Sequence, residues 1–414
     1  MFTKTHIGGG VPLLSEYIPY VHSVSLGIWV KSGSVSDTRE TMGIGHFVEH
    51  MLFKGTQRRT AYQIAREIDD VGGHLNAYTS KEYTNFYVKV LKDDIELAAD
   101  VLMDIFLNPV FPADEMEKEK SVVIQEIKMV EDTPDDLIHD LSFQTMWPDH
   151  PFGYSILGEI ETVGAVTREL LTAYRMKHHT RENIIIGAVG NFEHERLAAL
   201  LSGPLAAIPA GSPDGIASPR FAARREIFER DIEQVHFIIG FSALPYTHPD
   251  RYSQLILNTV LGAGMSSRLF QEVREKRGLA YSIYSFLSPY RDSGALEIYA
   301  GTDADSLEEL VRISAREIKK LTKKPLSEAE LASAKGQIKG NLLLSLESTD
   351  ARLGRMAKNE LYFGRRVEAD EIIQSIDRVT AADVLEVART VINPDQLTAV
   401  FLGPVTERDI PEIM

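Results

Sequence analysis

The feature that most constrains the fold is an internal repetition, because the same order of elements occurs twice at an offset of about 210 residues. Each half opens with an apolar segment typical of a buried strand, residues 22–30 in the first half and 235–241 in the second. In each half a later strand, residues 86–90 or 296–300, runs into a helix that begins with acidic residues. The repetition predicts two copies of one α+β unit rather than a short-period solenoid.

A segment rich in proline, glycine and serine separates the two copies. Its prolines, spread over residues 208–220, are incompatible with a continuous helix or a central strand. The sequence therefore predicts a first domain over residues 1–207, a linker over 208–220 and a second domain over 221–414. We expect each domain to be a mostly antiparallel sheet with helices packed on one face, which is an α+β fold.

The composition excludes several classes of protein. There is no cysteine, which excludes disulfides and thiolate metal sites and fits a reducing compartment. The 60 acidic against 44 basic residues disfavour nucleic-acid binding and suit cationic ligands, although solubility alone also explains this balance. No run of about 18 apolar residues indicates a membrane span. The first residues match neither a signal peptide nor a transit peptide, so we expect a cytoplasmic protein with no membrane or nucleic-acid partner.

One short motif, running from His46 to His50, indicates a metal site. Residues four apart on a helix lie one above the other, so His46 and His50 can hold one zinc ion at about 2.0–2.1 Å. Glu49 lies beside them and could take a proton from a water that the metal activates. A helix with two half-exposed histidines beside a solvated glutamate is the alternative. The matching segment of the second copy, residues 258–262, contains no metal ligand, so the chemistry is assigned to the first half.

The motif is the H-x-x-E-H signature, and the chain resembles over nearly its whole length the inverzincin family of pitrilysin, insulysin and the mitochondrial processing peptidase. It is most similar to the processing-peptidase branch. The resemblance implies a third ligand 76 residues after the second histidine, which is Glu126 here. Two histidines and one carboxylate would hold one Zn²⁺ per chain and leave a fourth position open. It also implies an auxiliary acid at Glu119, for which a plain surface acid is the alternative.

The same resemblance assigns residues that would hold a peptide. Asn76 and Ala77 would lie on an edge strand that pairs with the substrate backbone, although an ordinary strand after a turn also fits them. Arg274 and Tyr281 would bind substrate and stabilise the oxyanion formed at the scissile carbonyl. The alternative for this pair is a surface ion pair beside a packed tyrosine, and Arg277 offers a competing cation.

Substrate preference and assembly are implied more indirectly. Asp136 and Asp140 lie ten and fourteen residues after Glu126, where processing peptidases hold an arginine near the cleavage point. A preference for basic residues follows, although an acidic helix N-terminus stabilised by the helix dipole explains these residues equally. Insulysin-type chains carry four such units and take the Arg/Tyr pair from the last. With two units here, we expect a homodimer that closes a chamber, with Arg274 and Tyr281 acting in trans.

Together these features predict a zinc-dependent, processing-peptidase-like endopeptidase that hydrolyses extended peptides or presequence-like segments. The principal alternative is a non-catalytic scaffold or partner subunit of the same fold. Such proteins generally lose motif residues, whereas His46, Glu49, His50 and Glu126 are all present. A zinc hydrolase with a different substrate is a second alternative, which the strand motif and the Arg/Tyr pair oppose weakly.

Overall fold

The structure is a computed structural model that describes residues 1–212 and 215–413. Contacts among these residues divide the chain into two compact units. Unit 1 comprises Met1–Met129, Tyr154–Ala217 and Ser345–Arg366, and unit 2 comprises Val130–Gly153, Ser218–Leu344 and Val367–Met414, in each case without the undescribed residues. Two positions of the predicted linker, Pro213 and Asp214, lie outside the described residues, and the rest of it forms neither helix nor strand.

Eleven strands and fourteen α-helices occur among the described residues. The strands are β1 (Phe2–Ile7), β2 (Val11–Tyr17), β3 (Ser23–Val30), β4 (His74–Thr79), β5 (Thr84–Leu91), β6 (Ile184–Gly190), β7 (Arg225–Glu229), β8 (Val235–Ser242), β9 (Ser282–Pro289), β10 (Gly294–Thr302) and β11 (Leu397–Gly403). The helices are α1 (Ile44–Leu52), α2 (Ala61–Asp69), α3 (Ile95–Leu107), α4 (Ala113–Glu131), α5 (Pro134–Met146), α6 (Ile160–Gly164), α7 (Arg168–His178), α8 (His194–Ala206), α9 (Arg251–Leu261), α10 (Leu307–Lys323), α11 (Glu328–Ser345), α12 (Thr349–Phe363), α13 (Ala369–Arg378) and α14 (Ala381–Val391).

Each unit is built on one sheet, and the two sheets share a topology. Among the described residues the sheet of unit 1 has the order β1-β2-β6-β3-β5-β4, and that of unit 2 has the order β7-β11-β8-β10-β9. The pair β2 and β6 and the pair β7 and β11 are parallel, whereas the other neighbouring pairs are antiparallel. The last five strands of the first sheet therefore correspond one to one to the second sheet. This confirms the prediction of two duplicated, mostly antiparallel α+β units.

The main layer of helices packs on one face of each sheet, as the sequence predicts. In unit 1, Phe47 of α1, Phe86 of β5 and Phe106 of α3 are fully buried in the core between the helices and the sheet. In unit 2 the corresponding core includes Phe237 of β8 and Leu310 of α10. Burial of these large side chains holds α1, and with it the histidine motif, against the sheet.

The opposite face of each sheet is covered by one helix from the other half of the sequence. Strand β3 is buried on both sides from Val24 to Val30, so its second face also has to be covered. In unit 1 this helix is α12, whose Leu353 and Met356 pack with Trp29. In unit 2 it is α5, whose Ile138 packs with strand residues of β8 and β11.

Polar contacts reinforce the position of α12. Arg352 pairs with Glu16 at 2.7 Å, and Asp350 pairs with Lys89 at 2.8 Å. The predicted domain boundaries, 1–207 and 221–414, thus separate the two sheets but do not follow this exchange of helices.

Among the described residues, no helix is long and apolar enough to cross a membrane.

Candidate active site

Helix α1 is held at its start by a glycine turn and by a buried carboxylate. Gly43 has φ of 86°, a left-handed conformation that favours glycine, and its N–H donates to Asp37 at 3.0 Å. The apolar side chains of Phe47 and Met51 then bury one side of the helix in the core. Helix α1 ends at Leu52, and Gly55 follows with φ of 127°.

The histidines of α1 and a carboxylate of α4 converge on one point. Nε2 of His46 lies 3.9 Å from Oε2 of Glu126, and Nε2 of His50 lies 3.7 Å from the same oxygen. The centres of the two imidazole rings are 4.5 Å apart. These three residues are the only group of potential ligands of this kind among the described residues, with their ligand atoms within 4.8 Å of one another.

The donor set fits a zinc ion. Two ligand atoms on a tetrahedral zinc ion are about 3.3 Å apart, close to the distances between Glu126 and the histidines. Burial, reinforced by the neighbouring His50, lowers the pKa of His46 to about 3, so its ring is neutral and keeps a lone pair. One carboxylate and two imidazoles are the ligand types of catalytic zinc sites.

Glu119 fixes the orientation of His50. One carboxylate oxygen of Glu119 lies 3.0 Å from Nδ1 of His50, and the other lies 2.5 Å from Nζ of Lys54. Glu119 is only 4 % exposed, so it is not a plain surface acid. Because a carboxylate accepts hydrogen bonds, Nδ1 of His50 is the donor in this contact, and Nε2, which faces Glu126, is the nitrogen that could bind a metal.

Glu49 lies beside the cluster and is hydrogen-bonded to the edge strand. It is 8 % exposed, and Oγ1 of Thr79 donates a hydrogen bond to its carboxylate. Burial raises the pKa of Glu49, while the hydrogen bond from Thr79 acts in the opposite direction. The position of the carboxylate is therefore defined by a contact from β4.

Asn76 and Ala77 lie on the same strand, at the edge of the sheet of unit 1. β4 pairs with β5 on one side and, among the described residues, has no partner strand on the other. The N–H of Ala77 donates to Oδ1 of the exposed Asn76 side chain at 2.8 Å. One residue before Asn76 on β4, Leu75 lines an apolar pocket of about 270 Å³ together with Phe53 and residues of α2.

Arg274 and Tyr281 lie together in unit 2. The guanidinium carbon of Arg274 is 4.8 Å from the ring centre of Tyr281 and 4.8 Å from that of Phe270. Tyr281 is 83 % exposed. Residues Phe270–Glu275 form a π-helical segment, a geometry that is frequent at functional sites.

Arg277, the other cation near this pair, is already bound to a carboxylate. Arg277 bonds to the carboxylate of Glu272 at 2.8 Å, and Lys276 binds the same carboxylate at 2.5 Å. These two hydrogen bonds lower the pKa of Glu272 to about 2. Within the described part of the chain, the one ion pair recorded for Arg274 is at 4.0 Å to Glu275, which is longer than the contacts of Arg277.

Asp136 and Asp140 both lie on α5, which belongs to unit 2. Asp136 is exposed and Asp140 is half-buried, and both raise the pKa of His139, which burial lowers overall. His139 in turn contacts the hydroxyl of Tyr284 at 3.2 Å.

Two residues of the site were not predicted from the sequence, Lys54 and Thr79. Lys54 continues the four-residue spacing of His46 and His50, which placed it on the same side of the chain as the ligands. Thr79 directly follows the strand motif around Asn76. In both cases the partner carboxylate is distant in sequence or on another element, so spacing alone did not identify the contact.

Models of two protein families match most of the chain. The model of the insulinase family, peptidase family M16, matches residues 13–160, and the model of the peptidase M16 inactive domain matches residues 165–338. The chain is 40% identical to the uncharacterized zinc protease YmxG of Bacillus subtilis, over 95% of this chain and 96% of that protein. It is 38% identical to an uncharacterized zinc protease of Streptomyces coelicolor, over 98% of this chain and 90% of that protein.

Solved structures share the fold at low identity. A crystal structure described as a peptidase M16 inactive domain from Pseudomonas fluorescens superposes with a TM-score of 0.92 at 21% identity, covering 98% of each chain. A protease from Helicobacter pylori superposes with a TM-score of 0.91 at 21% identity, covering 98% of this chain and 99% of that chain. Fold and site together define a chain of the metallopeptidase type. It belongs to the insulinase family, peptidase family M16.

Proposed function

We propose that this chain is a zinc-dependent endopeptidase that hydrolyses extended peptides. The observation that carries the proposal is the convergence of His46, His50 and Glu126, with the Glu49 carboxylate beside them. One zinc ion bound there would act as a Lewis acid and supply a water of lowered pKa. Scaffold proteins of this fold generally lose one or more of these four residues, and all four are present here, which favours the enzyme over the scaffold.

The residues of the chain have separate roles in the proposed reaction. Glu49 accepts the proton of the attacking water and passes it to the leaving amine. Arg274 and Tyr281 donate to the negative charge that develops on the scissile carbonyl oxygen. Glu119 keeps the Nε2 lone pair of His50 directed at the metal position.

Strand β4 is the proposed binding site for the peptide backbone. Main-chain hydrogen bonds at a free strand edge hold any extended peptide, and adjacent pockets select side chains. The N–H of Ala77 is satisfied locally by Asn76, so a substrate carbonyl can replace that acceptor. The apolar pocket beside Leu75 would then receive one substrate side chain.

The experiment compares wild type with Glu49→Gln and with the control Glu117→Gln, which changes an exposed glutamate of α4. Zinc content is measured by elemental analysis, and activity with a quenched peptide that contains arginine. We expect about one zinc per chain in all three proteins and cleavage by wild type and the control only. Zinc without cleavage in wild type would favour the scaffold, and absence of zinc would contradict the metal site.

A preference for basic residues is part of the proposal and rests on Asp136 and Asp140. We expect Asp136→Asn and Asp140→Asn to reduce cleavage of an arginine-containing peptide relative to a neutral one, because a carboxylate binds the guanidinium. Asp135→Asn, at an exposed position one residue earlier on α5, is the control. Equal cleavage of both peptides by wild type would remove this preference.

We also propose that two copies of the chain form a homodimer enclosing a chamber, with Arg274 and Tyr281 of one copy completing the zinc site of the other. The proposal is supported by the presence of the ligands in unit 1 and of the Arg/Tyr pair in unit 2, so that one chain type supplies every group. A monomer that is fully active in dilute sedimentation would contradict it.

A further inference from the structure

The hydroxyl of Thr79 is joined to the carboxylate of Glu49. Thr79 is the last residue of β4, and Glu49 lies on α1, so the contact connects the edge strand to the helix that carries the histidines. Among the described residues, this is the one hydrogen bond that the structure records to the Glu49 carboxylate. Glu49 as a whole is 8 % exposed, so little water can replace a lost donor to its carboxylate.

Thr79 is itself firmly placed. Its backbone pairs with Thr84 of β5, and the two hydroxyl oxygens are 3.3 Å apart. Directly after it, the N–H of Ser80 donates to the carbonyl of Tyr83 at 2.9 Å and closes the turn between the strands. The side chain of Thr79 is on the less exposed face of β4, which it shares with Ala77.

Thr79 therefore belongs to the strand that is proposed to hold the substrate. Ala77 lies two residues earlier, about 7 Å along the strand. A peptide that pairs with the edge at Asn76 and Ala77 takes its register from the same strand that holds Glu49. The distance from the scissile bond to Glu49 is then set by one short, rigid segment.

We infer that Thr79 is a positioning residue for Glu49: its hydroxyl holds the carboxylate in the orientation that proton transfer needs, and it couples peptide binding on β4 to that orientation. The inference rests on the proposed function. Thr79 does not contact His46, His50 or Glu126 in the hydrogen bonds and ion pairs of the described residues, so the metal site is expected to be independent of it.

The test compares Thr79→Val, Thr79→Ser and Thr84→Val. Valine keeps the shape of threonine without the hydroxyl, and serine keeps the hydroxyl. Thr84 is the neighbouring control: it is buried, its hydroxyl donates to the carbonyl of Ser32 at 3.0 Å and lies 3.3 Å from the Thr79 hydroxyl, and among the described residues it has no recorded hydrogen bond to Glu49. Zinc content, thermal unfolding, kcat and KM are measured on the full-length protein.

We expect Thr79→Val to lower kcat about 10-fold or more, because the buried carboxylate loses the hydroxyl that donates to it. Its KM and zinc content should equal those of wild type, and Thr79→Ser should restore most of kcat.

Two outcomes would overturn the inference. One is that wild type is active and the Thr79→Val protein has the same kcat. The other is an equal loss in Thr84→Val, which would indicate a general effect on the strands. A wild-type protein that binds zinc but cleaves no peptide would instead contradict the proposed function, and the inference with it.

Discussion

Nδ1 of His50 lies 3.0 Å from a carboxylate oxygen of Glu119, and this contact decides which nitrogen of the imidazole faces the proposed metal. The second oxygen of Glu119 is held by Lys54 at 2.5 Å. A carboxylate behind a metal-binding histidine fixes its tautomer and raises its basicity. We therefore propose that Glu119 acts on the metal position through His50 without being a ligand itself.

Glu119→Gln is expected to weaken zinc binding about 10-fold to 100-fold, the usual cost of losing such a partner. His50 and Lys54 contact different oxygens of Glu119, and glutamine replaces one of these oxygens by an NH2 group that donates, so one of the two donors would lose its acceptor. The measurement is a competition titration against a chromophoric chelator. Glu117→Gln, two residues earlier on α4 and exposed, is the control, and equal affinity of the two variants would contradict the role of Glu119.

Arg274→Ala is expected to lower kcat/KM strongly while zinc content stays the same. The loss of one donor to an oxyanion typically costs about 100-fold to 1,000-fold in kcat. Arg277→Ala is the matched control, because that guanidinium is already paired with Glu272. A greater loss of activity in Arg277→Ala than in Arg274→Ala would show that the pair has been assigned to the wrong arginine.

Mixed dimers of two inactive variants test whether the Arg/Tyr pair acts in trans. If it does, a dimer of Glu49→Gln with Arg274→Ala contains one intact site, with Glu49 from one chain and Arg274 from the other. We expect activity to return when the two variants, carrying different affinity tags, are unfolded, mixed, refolded and purified through both tags. Dual-tagged dimers without activity would contradict action in trans.

A buried carboxyl group in unit 2 gives a prediction for stability against pH. Glu297 is fully buried on β10, and its two oxygens accept hydrogen bonds from Ser142 at 3.0 Å and Ser288 at 3.1 Å. Burial raises its pKa from 4.5 to about 7, with the two serine hydrogen bonds opposing that shift. The folded chain therefore retains a proton between these pH values that the unfolded chain releases.

The stabilisation of the folded chain by this proton is complete below the pKa of the unfolded chain, 4.5. It is lost as the pH rises from there through the folded-state pKa of about 7. Glu297→Gln removes the titration, so its free energy of unfolding should fall less than that of wild type between about pH 4 and about pH 8, values on either side of that range. Denaturant unfolding at several pH values measures this. Glu229→Gln, exposed on β7, should behave as wild type, and parallel profiles for wild type and Glu297→Gln would contradict the prediction.

Much of the fold was predictable because its signals are local or periodic. The apolar strands around β3 and β8 and the repeated order of elements indicated two related sheets. The exchange of α5 and α12 was not predictable in this way. Leu353 and Ile138 show that these helices bury apolar side chains, but helical periodicity does not specify which sheet receives them.

In the candidate site, too, the residues related by local spacing were predictable and those that meet only in the folded chain were not. His46 and His50 could be paired from their spacing alone, because that spacing fixes their relation on a helix. Glu126 required the family resemblance, since its approach to the histidines depends on how α4 packs against α1. Thr79 and Lys54 were missed because each binds a carboxylate that only the folded chain brings near.

The most direct test of the account is an anomalous difference map at the zinc absorption edge, from crystals grown with zinc. We predict one strong peak per chain, within about 2.0–2.2 Å of Nε2 of His46, Nε2 of His50 and a carboxylate oxygen of Glu126. A strong peak elsewhere, with none between these three residues, would contradict the proposed metal centre and the peptidase mechanism built on it.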